Sequence, residues 1–353
     1  MKPVFLYALH SGNLYGTERM ALVTLDGLRE LYTPVLLAPE GPALEEARRL
    51  GIAVHAFGGP VTLARALWPW LWRHPRVAFA ATGVMHSLVF LTLNGLLRRR
   101  HIHLHLVHGG TDERESYGRK SLLNRWRITL VAVSAFVRER LLAHGVLPER
   151  IAVCENFLPD RQIASAPRRS RFDRDGVREV VIVSRVDPIK RIDVLLDALD
   201  RHPDLRALRF RVLGTGWDLD ALRERAANTH PNVVFEGFCA DVASVLAQSD
   251  LLLHLCPVEP FGLAILEAMA AGLPVLVPDS GGAATLVDDG VSGFHFRADD
   301  ADSLADVLNR LAGYPGNSLN TLVTQADERL WSRYSEAVGL ARYADLLAPM
   351  EEA

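Results

Sequence analysis

Glu259 and Glu267 stand eight positions apart in EPFGLAILE, where Pro260, Phe261 and Gly262 open a stretch of helical period carrying Leu263, Leu266 and Met269. A proline and a glycine at a helix start leave first-turn N–H groups without intrahelical acceptors, and such a terminus attracts a phosphate or sugar oxygen. The spacing predicts Glu259 just ahead of the helix and Glu267 about two turns in, on nearly the same face. Two carboxylates so placed suit several hydroxyls at once, as on a ribose and a hexose. Taken alone, the pair reads more simply as a helix whose first acid is favoured by the macrodipole and whose second is partly exposed.

Other signals for chemistry are sparser. Asp218-Leu219-Asp220 has the spacing of a metal-nucleotide site, but it follows Gly216 at a predicted helix start, where Asp is an expected cap. No HExxH, GxSxG or Walker sequence is present. The run HIHLHLVH alternates histidines along a strand, so His101, His103 and His105 read as strand-face residues. Cys154, Cys239 and Cys256 are an odd, unpaired set, which fits a reducing compartment and argues against a disulfide scaffold or a cysteine zinc site.

These residues must be held by alternating strands and helices. Apolar runs at Val4–Leu9, Pro34–Ala38, Ala53–Phe57, Val77–Ala81, Ile102–Val107 and Leu130–Val133 are separated by longer segments of helical period. After RQIASAPRRSRFDRDGV, which has no apolar period, the alternation restarts at Val180–Ser184, Phe210–Gly214, Val233–Glu236, Leu251–Leu255 and Pro274–Pro278. Such alternation predicts α/β architecture: two Rossmann-like doubly wound domains with a ligand site in the cleft between them. The expected boundaries are residues 1–164 for the first domain, 165–176 for a linker and 177–317 for the second. Residues 318–353 are expected as a C-terminal helical segment that can pack back across the first domain. A length of 353 residues, 49% hydrophobic and 23% charged, supports two such cores.

The net charge of −3 is unevenly spread. Residues 1–165 hold 20 Lys and Arg against 13 Asp and Glu, or +7; the remainder holds 19 against 29, or −10. A basic first half suits an anionic partner, such as a membrane surface or a charged acceptor, although chance and solubility explain the imbalance equally well. LWPWLWRHPR, Leu67 to Arg76, sets three tryptophans among basic residues; it suits a membrane interface as well as packing between helices. Val77 to Leu97 lacks formal charge for 21 residues but contains seven polar or glycine positions, so it is expected as a buried strand, a turn and a helix. The start MKPVFLYALH runs into a strand and lacks signal-peptide regions, so the expected location is cytoplasmic, at the inner membrane face if a membrane is bound.

Eight segments in order carry a family resemblance: YGTERM, LVHGG, VAVSAFVRERL with VCENFLPD, SRVDPIKRIDVLLDAL, VLGTGWDLDAL, VVFEGF, EPFGLAILE and DSGGAATLVDDGVSGFHF. Nearly end to end, the chain resembles the retaining, nucleotide-sugar-dependent glycosyltransferases of the GT-B fold, family 4 or group 1. The resemblance implies that Arg185 and Lys190 hold a donor diphosphate, a planar fork and a compact cation suited to neutralising two phosphates. It implies that Glu259 contacts the donor sugar and Glu267 the ribose, with the Phe261, Gly262 and Leu263 amides supporting sugar and phosphate. Gly16 would let the first loop approach the diphosphate, Gly214 would form the second glycine turn and Phe238 would follow the base-contacting strand. His108 would lie near the reacting carbon.

The implied enzyme is a hexosyltransferase that moves a sugar from a nucleotide-diphosphate-sugar to a hydroxyl acceptor, a saccharide or lipid-linked molecule of bacterial surface polysaccharide, lipopolysaccharide or glycolipid synthesis. It needs no metal, cofactor or nucleic acid. Other readings are a transferase for a small soluble aglycone, a nucleotide-sugar epimerase on the same fold and a non-catalytic partner subunit. The sequence departs from the family pattern at three places. Thr285 stands where a Glu is common, Ser184 and Arg191 stand where glycine is common, and SGNLYGTE lacks a glycine pair.

Overall fold

The computed structural model describes residues 2–110 and 113–348. The described parts of Met1–Phe157 and Glu336–Ala353 form one compact unit, and Leu158–Ser335 forms a second. Among the described residues of the first unit, seven strands pair in parallel: β1 Val4–Ala8, β2 Thr33–Ala38, β3 Ala53–Ala56, β4 Val77–Ala81, β5 Ile102–Val107, β6 Thr129–Ala132 and β7 Ile151–Val153. Their order is β3-β2-β1-β4-β5-β6-β7. VFLYA in β1 and VAFAA in β4 are buried at every position, as expected of central parallel strands covered on both faces. Thus Val77–Leu97 is a strand followed by the helix Val84–Leu96, and no described helix is long and apolar enough to cross a membrane.

The second unit has six described parallel strands: β8 Glu179–Val183, β9 Arg209–Leu213, β10 Val233–Gly237, β11 Leu251–Leu253, β12 Val275–Pro278 and β13 Phe294–Phe296. Their order is β10-β9-β8-β11-β12-β13. In each sheet the strand order therefore reverses once, between β1 and β4 and between β8 and β11. In open parallel sheets, ligands bind beyond the carboxyl ends of the strands at such a reversal. Both two-domain α/β architecture and parallel sheets follow the expectation from the apolar runs.

The boundaries differ from the sequence expectation. The division falls at Phe157/Leu158 rather than after residue 164, and residues 165–176 are not a free linker. Phe172 is buried in the second unit's core, its N–H donates to Asn320 Oδ1 at 2.8 Å, and Arg169 pairs with Asp250 at 2.8 Å. Side chains anchor this Arg-rich segment where periodicity alone shows none. The C-terminal segment is likewise two helices. Gly316–Tyr334 packs Leu319 and Leu322 into the second core, the backbone turns extended at Ser335, and Glu336–Leu347 belongs to the first unit. There a Cβ on Gly339 would lie 2.0 Å from the Phe157 ring, and Arg342 pairs with Glu155 at 2.9 Å. Residues 349–353 of the expected segment lie outside the described residues.

Candidate active site

At the reversal of the second sheet, the loops after β8, β9 and β10 are drawn together by backbone. Ser184 N–H donates to Leu213 O at 3.1 Å, Val186 N–H to Thr215 O at 2.9 Å, and Gly214 N–H to Gly237 O at 2.7 Å. Gly214 has φ +139°, and a Cβ there would lie 1.8 Å from Ser184 O, so only glycine permits this approach. Buried Asp187 organises the same loops: it pairs with Arg185 at 2.7 Å and accepts from Trp217 N–H at 3.1 Å. Arg191 takes the left-handed conformation, φ 54°, a region that favours glycine, and is held by ion pairs to Asp193 and Asp299.

Lys190 ends the short turn Pro188–Lys190 after β8, and its Nζ donates to Glu259 Oε2 at 2.6 Å. The two side chains are only 17% and 14% exposed. Burial works against charge on both, but their Coulombic attraction and hydrogen bond prevail, raising the Lys190 pKa and lowering that of Glu259. The pair is therefore ionised at neutral pH. His254, just past β11, lies 3.4 Å from Glu259 without hydrogen-bond geometry; burial pushes its pKa down to about 4, leaving it neutral.

Glu259 lies on the loop between β11 and the helix Leu263–Ala270 rather than at the helix start. Gly262, with φ +106°, is the N-cap, so Pro260 precedes the helix by three residues and the shared-face argument for Glu259 and Glu267 does not hold. Glu267 remains on that helix, partly buried. Phe261 is buried and meets Tyr334 edge-on at 5.9 Å, while its backbone amide supports the Glu259 carboxylate. Leu263 is the first helical residue, where N–H groups lack intrahelical acceptors. Phe238 is 82% exposed beyond β10. Asp218 is an N-cap position but makes no side-chain capping bond, and Asp220 is solvent-exposed with a long 4.0 Å approach to Arg223. Thus the Asp-x-Asp run does not cap as its composition suggested.

His254 Nδ1 or Nε2, Cys256 Sγ and a Glu259 carboxylate oxygen lie within 4.8 Å of one another, a donor set that zinc accepts. The Lys190 ammonium already supplies the positive partner of Glu259, and burial pushes the Cys256 thiol up to about 11, against thiolate formation.

Two further residues expected from the sequence, His108 and Gly16, lie in the first unit. Gly16 opens the helix Gly16–Gly27, capped by Tyr15 N–H donating to Glu18 Oε2 at 3.1 Å. His108 follows β5, and its Nε2 is buried without a hydrogen-bond partner among the described residues; burial lowers its pKa to about 4, with His10 adding to the effect. A cavity of about 110 Å³ lies there, lined by His10, Thr17, Thr82, His108, Ser116 and Lys120 among others. His103 and His105 instead share Ser87, at 3.0 and 2.8 Å, as packed core residues.

Asp187, His254 and Lys120 were not singled out from the sequence. His254 sits in an apolar run, LLLHLC, at the end of a strand beside the reversal, which is the one signal that marks it.

Residues 177–313 match the family model described as Glycosyl transferases group 1. The chain is 35% identical over 153 residues to the phosphatidyl-myo-inositol mannosyltransferase of Mycolicibacterium smegmatis, covering 41% of this chain and 38% of that protein. It is 31% identical over 248 residues to the D-inositol 3-phosphate glycosyltransferase of Nocardia farcinica, covering 54% and 55%. The matches therefore span about half or less of these curated relatives. Anabaena HepE in complex with UDP and glucose superposes with a TM-score of 0.79 at 21% identity, covering 98% of this chain and 99% of that one. The apo lipopolysaccharide outer core galactosyltransferase WaaB gives 0.76 at 16%, covering 99% of each. The chain thus has the GT-B fold.

Proposed function

We propose that this protein is a retaining glycosyltransferase that moves a sugar from a nucleotide-diphosphate-sugar to a hydroxyl acceptor of a surface polysaccharide, lipopolysaccharide or glycolipid. The observation that carries the reading is the buried Lys190–Glu259 pair beyond β8 and β11, inside the matched group 1 domain. In this reading Arg185 and Lys190 meet the diphosphate, Glu259 the sugar hydroxyls and Glu267 the ribose. The Phe261, Gly262 and Leu263 amides supply hydrogen bonds to sugar and phosphate. Gly16, Gly214 and Phe238 belong to the loops that receive the donor.

The bond from the anomeric carbon to the distal phosphate breaks as the acceptor oxygen attacks from the same face. The acceptor proton passes to the departing phosphate oxygen, releasing a nucleoside diphosphate. Fixed cations at the place where negative charge grows are an effective source of transition-state stabilisation, so the step needs neither a metal nor a protein base. Neutral His108 orients the acceptor by hydrogen bonding.

A lipid-linked acceptor is favoured by the helix Pro60–Arg73. Its Trp70 packs inward, donating to His55 at 3.2 Å, while Trp68 and Trp72 stack on each other in solvent, and Arg65, Arg73 and Arg76 of the same stretch are exposed. Exposed indoles among arginines suit an anionic membrane surface.

The test is metal-free thermal stabilisation of the full chain by a panel of nucleoside diphosphates and their sugars. The expected result is a clear rise with one base, followed by sugar transfer or donor hydrolysis. No rise with any nucleotide in a folded sample overturns the donor site. Binding without turnover overturns the enzyme in favour of a non-catalytic subunit.

A further inference from the structure

The reversal of the first sheet, between β1 and β4, holds a second constellation. His10 follows β1 and Thr82 follows β4; His10 N–H donates to Thr82 Oγ1 at 3.0 Å, and His10 Nδ1 lies 2.9 Å from the same oxygen. His108 follows β5, and Thr17 comes from the helix after β1. Lys120, from the segment Gly118–Arg125, reaches the same cavity and is only 8% exposed.

Every polar side chain lining this cavity is a cation, a neutral imidazole or a hydroxyl; no carboxylate lines it among the described residues. Among the described residues, the nearby acids are otherwise engaged. Glu18 accepts from Tyr15 N–H at 3.1 Å, and Glu115 pairs with Arg119 at 2.6 Å. The Lys120 ammonium has three donors but a single hydrogen-bond acceptor among the described residues, Glu115 O at 2.8 Å. A buried charge so poorly matched is costly unless a ligand completes it. His108 Nε2, buried and unpartnered, adds a second unmet polar group at the same place. Burial lowers the Lys120 pKa to about 8, with Glu115 opposing, so the ammonium still predominates at neutral pH. At about 110 Å³ the cavity is well below the roughly 300 Å³ at which pockets begin to hold whole small-molecule ligands, and it has room for one polar group of a larger molecule.

We propose that this cavity binds a phosphate monoester carried by the acceptor, with Lys120 as its charged contact and Thr17, Ser116 and His108 completing the hydrogen bonds. The inference rests on the glycosyltransferase reading and names its acceptor chemistry. Lys120 is thereby a specificity-determining residue of the first unit, whereas the proposed donor cations Arg185 and Lys190 belong to the second.

The probe is inorganic phosphate, titrated into the full chain in phosphate-free buffer by calorimetry, with UDP and the other nucleoside diphosphates titrated separately. Lys120→Gln should weaken phosphate binding about tenfold or more, the scale of a lost charge-assisted hydrogen bond. Lys120→Arg should retain most of the binding. Lys190→Ala should remove only phosphate held at the proposed donor site and leave the Lys120-dependent binding intact, and Lys120→Gln should leave nucleoside-diphosphate binding intact. If Lys120→Gln fails to fold, Thr17→Val and Lys120→Arg report on the cavity instead, and unchanged phosphate affinity in Thr17→Val overturns the proposal. Phosphate binding that survives Lys120→Gln unchanged in a Lys190→Ala background overturns it, as does parallel loss of nucleoside diphosphate, which would put Lys120 in the donor site. Absence of nucleotide binding in the wild type defeats the donor reading alone, because the phosphate titration does not depend on it. Glycerol 3-phosphate and phosphatidylcholine vesicles containing phosphatidic acid then compete for the cavity. Displacement by the first names a soluble acceptor and by the second a membrane-borne one; displacement by neither overturns the acceptor role.

Discussion

Replacing Lys190 with Ala separates its two roles. The residue neutralises Glu259 at 2.6 Å in a setting where both side chains are at least four-fifths buried. Deleting one partner of a buried pair costs about 3–5 kcal/mol, because the remaining charge keeps its desolvation penalty. Here His254 stands 3.4 Å from Glu259 and can take up a proton once the lysine is gone, recovering part of that loss in acid. The expected destabilisation is therefore about 3 kcal/mol at pH 8 and smaller at pH 6. For a unit of this size, that corresponds to a Tm lowered by about 6–12 °C. Nucleoside-diphosphate affinity should fall about ten- to a hundredfold with the loss of one charge-assisted contact. Calorimetric melting at both pH values, isothermal titration with a nucleoside diphosphate and the Glu259→Gln single and double variants complete the test. In the double variant the loss should be well below the sum of the singles. Unchanged melting and unchanged affinity together refute the reasoning. A lowered Tm with unchanged affinity leaves Lys190 structural and removes it from the donor site.

Three further outcomes are expected. His86, His108 and His254 are held down to about pH 4 and His103 to about 3, chiefly by burial, so the unfolded chain binds their protons first. Stability should be full above pH 6.5 and decline as the pH falls toward 4, by about 1.4 kcal/mol per pH unit for each such histidine; a flat urea midpoint between pH 7 and 5 would contradict this. Gly214→Ala forces a Cβ against Ser184 O and should cost about 3 kcal/mol, read from the denaturation midpoint, with nucleotide affinity falling alongside. Trp68→Ser with Trp72→Ser should reduce cosedimentation with anionic vesicles while leaving nucleotide binding and Tm unchanged; equal cosedimentation would assign the indoles no membrane role.

The central strands were legible because parallel strands covered on both faces must be apolar throughout, as VFLYA and VAFAA are. The two missed strands, Ile151–Val153 and Phe294–Phe296, are three-residue edges, too short for a period and covered on fewer sides. Sequence also exposed both loops of the candidate site, but not that Glu259 turns onto Lys190, 69 positions away, nor that the helix begins only at Leu263. Lys120 was hidden for another reason: GRKSLLNR is polar and reads as surface, yet the fold buries its lysine. Charge placed inside by tertiary packing leaves no local trace in composition. The Arg-rich stretch around Phe172 was misread similarly, since its anchors are distant acids and amides.

The order in which the two units close has a bearing on how the protein is made. Leu158–Ser335 is one unbroken stretch, whereas the first unit draws on segments from both sides of it. On the ribosome, the second unit has all its residues before the first receives Glu336–Leu347. Until that helix emerges, Phe157 lacks the glycine seat at Gly339 and Glu155 lacks Arg342. The amino-terminal sheet must therefore wait, incompletely covered, through the synthesis of an entire neighbouring domain. A nascent chain arrested at Ser335 would hold every residue of the second unit while the first is still open to chaperones.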